Sequence, residues 1–155
     1  MLGSSCYKLF ESPKKWEDAE NHCKSEGGHL ASLHSKEEND FAASLGVEGE
    51  QIKQKPAKKG KKSWTWIGGK CAKPSWIWID GTEFSWSPKN FDRSSVPVSG
   101  WCTVMNYGGI GQWKDQKCIA KRKFVCKIKS NGPKDEVDDD NLDDGDDNYV
   151  DDEFY

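Results

Sequence analysis

Polar and apolar residues alternate near the start of the chain. Tyr7 and Leu9 fall on one side and Lys8 on the other, a period of two that predicts a short strand over residues 4–10. Ser12-Pro13 reads as a helix start, a capping residue followed by a proline whose missing N–H costs nothing in a first turn. Trp16, Ala19 and Cys23 then recur at i, i+3 and i+7, the buried face of a helix that Gly27-Gly28 should end. Residues 29–33 read as a short extended segment. Ser35 and Glu38 form a capping box for a second helix, with Phe41 and Leu45 as its inward face and Gly46 as its stop. Residues 48–62 carry no hydrophobic pattern. Five short stretches, three of them carrying tryptophan, follow as strands, at 65–67, 76–79, 102–106, 112–115 and 123–128. Residues 81–100, rich in Ser, Pro, Asn and Gly, form a long irregular loop, the kind of segment that carries function on a rigid scaffold. Two helices followed by many short strands predict an α+β fold.

Charge divides the 155 residues in two. All 23 Lys and Arg precede residue 135, whereas twelve of the 26 Asp and Glu lie in residues 135–155. The body is therefore basic and the tail acidic. From residue 130 onward the composition is too polar to bury a core, so an acidic disordered tail is expected over 130–155. The insertion at 48–62 holds Lys53, Lys55, Lys58, Lys59, Lys61 and Lys62 and reads as a mobile surface loop, a candidate contact for a polyanion and for the tail. Tyr149, surrounded by acids, is a candidate sulfation acceptor. The six cysteines imply an oxidising compartment, and there is no Cys-x-x-Cys pair to suggest a zinc site. No apolar run approaches the roughly 20 residues that cross a bilayer. The opening residues 1–5 lack the apolar core of a signal peptide, so the expectation is a mature secreted form. No nucleic-acid motif accompanies the basic charge.

The second half contains Trp64-x-Trp66-Ile67-Gly68-Gly69, Trp76-x-Trp78-x-Asp80-Gly81, Trp101-Cys102, Gly111-Gln112-Trp113-Lys114-Asp115-x-x-Cys118 and Phe124-Val125-Cys126. With Cys23, this order and spacing resemble the C-type lectin-like domain over residues 4–129. The resemblance implies an extracellular binding scaffold of two helices flanking small antiparallel sheets, with a long ligand loop. It also implies the disulfides Cys23–Cys126 and Cys102–Cys118. Cys6 and Cys71 are left over. They bond to each other, bridge to a second chain or stay free, unless Cys6 has lost a mate upstream.

In sugar-binding members of the family a calcium ion is held by a cis-proline flanked by two carbonyl-bearing side chains, by a Trp-Asn-Asp motif, and by an acid just before the loop cysteine. Calcium takes six to eight oxygen ligands. Here Pro88 is flanked by Ser87 and Lys89, and Pro97 by Val96 and Val98. The strand motif reads Trp113-Lys114-Asp115, and Ser99, Gly100 and Trp101 precede Cys102. A lysine ammonium has no lone pair to offer and puts positive charge where the ion would sit. Asp115 is the one clear surviving ligand position, with Glu83, Asn90 and Asp92 nearby in sequence, and the expectation is no metal. The ligand-loop candidates are Trp86, Asn90, Asp92, Trp101 and Lys114. Trp64, Trp66, Trp76, Trp78 and Trp113 are expected in the core, and Asp115 is expected to pair with Lys114, Lys117 or Lys121. His22, His29 and His34 sit in no recognised nucleophile motif, so a binding module is expected rather than an enzyme. Its ligand would be a glycan, a protein or a sulfated polyanion, bound without calcium. The alternatives are a calcium-dependent lectin with an atypical site and an acidic-tailed matrix or mineral-associated protein.

Overall fold

The structure, a computed structural model, describes residues 5–47, 64–94 and 99–129. The lysine insertion with Lys53, Lys55, Lys58, Lys59, Lys61 and Lys62, the segment holding Val96, Pro97 and Val98, and the acidic tail with Tyr149 lie outside the described residues. The elements run β1 (Ser5–Lys14), α1 (Trp16–Ser25), β2 (Gly28–Leu30), α2 (Lys36–Leu45), β3 (Thr65–Ala72), β4 (Ser75–Trp78), β5 (Trp101–Met105), β6 (Trp113–Lys117) and β7 (Arg122–Lys129). They form the expected α+β arrangement. The sheet order is β1-β7-β3-β5-β6, with β4 on β3 and β2 on β7. Pairing is antiparallel except where β3 meets β7, Thr65 opposite Lys123 and Trp66 opposite Phe124.

Side chains alternate across this sheet, as the pleat requires. On β7, Phe124 and Cys126 face one cluster and Val125 the other; on β3, Trp66 and Ile67 divide in the same way. The first cluster holds Leu33, Ile67, Trp76, Trp78, Phe91, Met105, Trp113 and Val125. The second packs α1, through Trp16, Ala19 and Cys23, against Leu30, Trp66, Val104 and Phe124. Buried indole N–H groups all but require partners. Trp16 Nε1 donates to the Ile67 carbonyl at 2.9 Å and Trp66 Nε1 to the Lys14 carbonyl at 3.0 Å.

Two disulfides lock these layers. Cys23–Cys126 ties α1 to β7 across 103 residues, with Cα atoms 5.4 Å apart. Cys102–Cys118 closes the β5–β6 hairpin across 16 residues at 5.1 Å. Loop-closure entropy makes the first worth roughly 4–5 kcal/mol and the second roughly 3 kcal/mol. A Cys6–Cys71 bond is absent. Cys6 sits half-buried on β1 opposite Ile128, and Cys71 is buried on β3 opposite Trp76. The intervening β7 keeps them apart: β1 occupies one edge of β7, and β3 reaches the other edge only at Lys123 and Phe124.

Three local expectations change. Ser12-Pro13 does not start a helix. β1 continues to Lys14 through a register shift between Phe10 and Lys14, and helix α1 begins at Trp16 after an extended Lys15 that makes no side-chain cap. A proline removes a ladder donor, which an outer strand at an irregularity tolerates. Gly28 belongs to β2 rather than to a helix stop. A Cβ there would stand 2.3 Å from the Lys127 carbonyl oxygen, so only glycine lets β2 approach β7. The inward face of α2 is Asn39, Ala42 and Ala43, with Phe41 and Leu45 only half-buried. The capping box forms in a modified way: Ser35 Oγ accepts from the Glu38 N–H, and Glu38 reaches back to the His34 N–H rather than to that of Ser35.

Candidate functional site

The loop after β4 folds over Trp113 and is tied down by its own side chains. Asn90 Nδ2 donates to the Trp113 carbonyl at 2.7 Å, and Asn90 Oδ1 accepts the Trp113 N–H at 3.3 Å. The asparagine thus imitates a strand partner at the start of β6. Arg93 donates to the Ser85 carbonyl at 2.7 Å. Phe84, Trp86 and Phe91 stand against the Trp113 ring, at 6.3, 5.7 and 5.7 Å between centroids. Below, Trp113 Nε1 donates to Asn39 Oδ1 at 2.8 Å, and Asn39 Nδ2 donates to the Gly111 carbonyl. Small residues on α2 bring Asn39 close enough to make these bonds.

The sequence-derived ligand candidates separate into two places. Trp86 is half-buried on Trp113, and Asn90 is committed to the Trp113 main chain. Exposed Asp92 accepts from the Ser94 N–H and hydroxyl, while Glu83 is exposed. Trp101, Lys114 and Asp115 line a groove of about 560 Å³ on the β5–β6 hairpin. There Lys114 Nζ lies 3.5 Å from Asp115 Oδ1, the pairing expected for that carboxylate.

Other residues that complete the groove, among them Trp64, Tyr107, Lys117 and Ile119, were not among the sequence-derived ligand candidates. Trp64 was expected in the core, but it is half-buried, with its ring 4.5 Å from Tyr107 and the Arg122 guanidinium 5.1 Å away. The pairing of Thr65 with Met105 carries Trp64 across to Tyr107, a neighbourhood that follows from register rather than from any local motif. Ile119 is 72% exposed. Lys114 and Lys117 add positive charge, so the groove offers aromatic and aliphatic walls with ammonium groups at hand.

A second polar network joins the segment after β2 to the turn after β4. Ser32 Oγ donates to Asp80 Oδ2 at 2.5 Å, and the Thr82 hydroxyl and N–H donate to Asp80 Oδ1 at 2.6 and 3.0 Å. His34 Nε2 lies 3.2 Å from Ser32 Oγ and 3.1 Å from Thr82 Oγ1. Burial pushes the Asp80 carboxyl up, but these hydrogen bonds, with His34 nearby, outweigh it and hold the group below the usual carboxylate range. Serine, histidine and aspartate meet here, yet Ser32 is fully buried and its hydroxyl proton is given to the aspartate, so it presents no nucleophile to a substrate.

A disulfide-stapled α+β domain whose long loop is roofed over a tryptophan core, beside an open aromatic groove, is the architecture of a binding module. The chain belongs to the C-type lectin domain family: the Lectin C-type domain matches residues 12–128. It is 37% identical over 141 residues to "C-type lectin lectoxin-Lio1" of Erythrolamprus poecilogyrus, covering 82% of this chain and 76% of that one. Among solved structures it is similar to human lithostathine, with a TM-score of 0.65 and 28% identity over 83% of this chain and 95% of that one. It is also similar to a calcium-independent type II antifreeze protein, with a TM-score of 0.63 and 25% identity over 83% of this chain and 89% of that one.

Proposed function

We propose that the chain is an extracellular binding module that takes an acidic protein surface or a sulfated polyanion, without calcium, in the groove lined by Trp64, Trp101, Tyr107, Lys114, Lys117 and Ile119. The observation that carries this reading is the 3.5 Å pairing of Lys114 with Asp115, at the two positions where sugar-binding relatives place calcium ligands. The residues present do not fit the ion. Asn90 is spent on the main chain of Trp113, and among the described residues no three His, Cys, Asp or Glu side chains gather to hold a metal. The antifreeze neighbour described as calcium-independent is a precedent for the fold working that way. Aromatic residues suit the centre of a protein-binding patch, and lysines steer anionic ligands. The two disulfides favour an oxidising, extracellular setting, and no described helix is long and apolar enough to cross a membrane.

Binding to immobilised heparin and to a panel of acidic extracellular proteins, each in calcium and in chelator, tests this reading. Equal binding in both conditions is expected, weakened by Trp101→Ala and by Lys114→Glu with Lys117→Glu. Binding that needs calcium, or that ignores all three substitutions, contradicts it.

A further inference from the structure

β6 is an outer strand of the sheet, paired with β5 on one edge and with no strand on the other among the described residues. The ladder fixes where its main-chain groups point. Along an antiparallel strand, residues alternate between bonding the neighbour and turning away from it. The Trp113 N–H and carbonyl turn away, since both are taken by Asn90. The Cys118 N–H turns inward, to the Gly100 carbonyl at 3.0 Å. Lys114 and Gln116 therefore bond to β5, opposite Val104 and Cys102, while Asp115 and Lys117 turn their main chain outward. At the far end the Lys117 carbonyl accepts the Ala120 N–H at 3.0 Å. Between these two stops, the Asp115 N–H and carbonyl and the Lys117 N–H have no partner among the described residues. Open main-chain groups on an outer strand are a template for another extended chain.

Asn90 already shows the chemistry this edge accepts, an amide that donates to a carbonyl and accepts from an N–H. The main chain of a peptide offers the same two functions at Asp115, two residues further along. Charge chooses among peptides. Lys114 pairs with Asp115, which leaves exposed Lys117 and half-buried Arg122 without a carboxylate among the described residues. A second copy of β6 would set its lysines against their own counterparts, whereas an acidic strand complements them. We infer that the partner of this groove is an extended acidic peptide segment, added as a strand along β6 through main-chain hydrogen bonds to Asp115 and Lys117. Such a partner presupposes that the groove is the binding surface and narrows its ligand to a peptide.

Amide hydrogen exchange, read by NMR on the full chain with and without a short peptide of alternating Glu and Val, tests it. In the free chain the Asp115 and Lys117 N–H groups should exchange faster than those of Lys114 and Gln116. The peptide should slow Asp115 and Lys117 about tenfold or more and leave Lys114 and Gln116 unchanged. Methylating the peptide nitrogens removes donors and keeps the charge, so affinity should fall about fivefold or more. Trp101→Ala should weaken the unmodified peptide. A peptide that needs Trp101 but protects neither amide, or tolerates methylation, overturns the strand pairing and leaves the groove as the binding surface. So does a heparin oligosaccharide that needs Trp101 while the peptide fails to bind. If neither binds, the groove reading falls together with the strand pairing.

Discussion

Asn90 shows what a single side chain decides in this loop. Its amide satisfies both main-chain groups of Trp113, which would otherwise lie open at the start of an outer strand. Asn90→Ala removes both bonds, and denaturant unfolding is expected to report a loss of about 1–3 kcal/mol. Asn90→Asp should also destabilise, because a carboxylate cannot donate to the Trp113 carbonyl. Asp80 gives a pH signature. Its folded-state pKa lies below the ordinary value of about 3.9, so the unfolded chain binds the proton more readily. The stability it contributes is fully present above that ordinary value and is lost as pH falls through it toward the folded pKa. Asp80→Asn should therefore lower stability at neutral pH and make the decline on acidification shallower than in the unaltered chain. Parallel slopes would show that Asp80 is not a source of acid sensitivity.

At the scale of elements, the clearest sequence signals were those with one physical meaning. Trp16, Ala19 and Cys23 could share a face only in a helix, and Tyr7 and Leu9, alternating with exposed Lys8, could share one only in a strand. Ser12-Pro13 failed because a cap followed by proline looks the same at a helix start and at an irregularity in an outer strand. Which of these occurs is settled by Lys14 pairing with Arg122, more than a hundred residues away. On α2 the pattern pointed to the large residues Phe41 and Leu45, but the helix sits close to its neighbours through Asn39, Ala42 and Ala43. The Asn106 side chain donates to the Ala43 carbonyl at 3.1 Å, which leaves little room there. Ala43→Leu, harmless by hydrophobic pattern, should cost about 1–3 kcal/mol by overpacking, measured by thermal or chemical unfolding. A neutral Ala43→Leu would mean that α2 lies differently. The groove was only half legible. Trp101 and Lys114 stood out by their place in the motifs, whereas Trp64 and Tyr107 meet through strand register.

For the whole molecule, the same scaffold presents two surfaces of different chemistry, an aromatic groove with lysines and a polar cleft lined by Lys24, His29, His34, Asp80 and Lys127. The reading of the groove depends on whether charge at the loop end of β6 comes from a lysine or from a metal ion. The thermal melting temperature with and without millimolar calcium, in the unaltered chain and in Asp115→Ala, tests this most directly. An ion bound only by the folded state at a hundredfold excess over Kd would add about 2.7 kcal/mol. Comparison with Asp115→Ala separates the β6 site from loose binding by the twelve acids of 135–155. The account predicts that calcium changes the two proteins by the same small amount. A calcium-dependent rise in melting temperature that disappears in Asp115→Ala would contradict it.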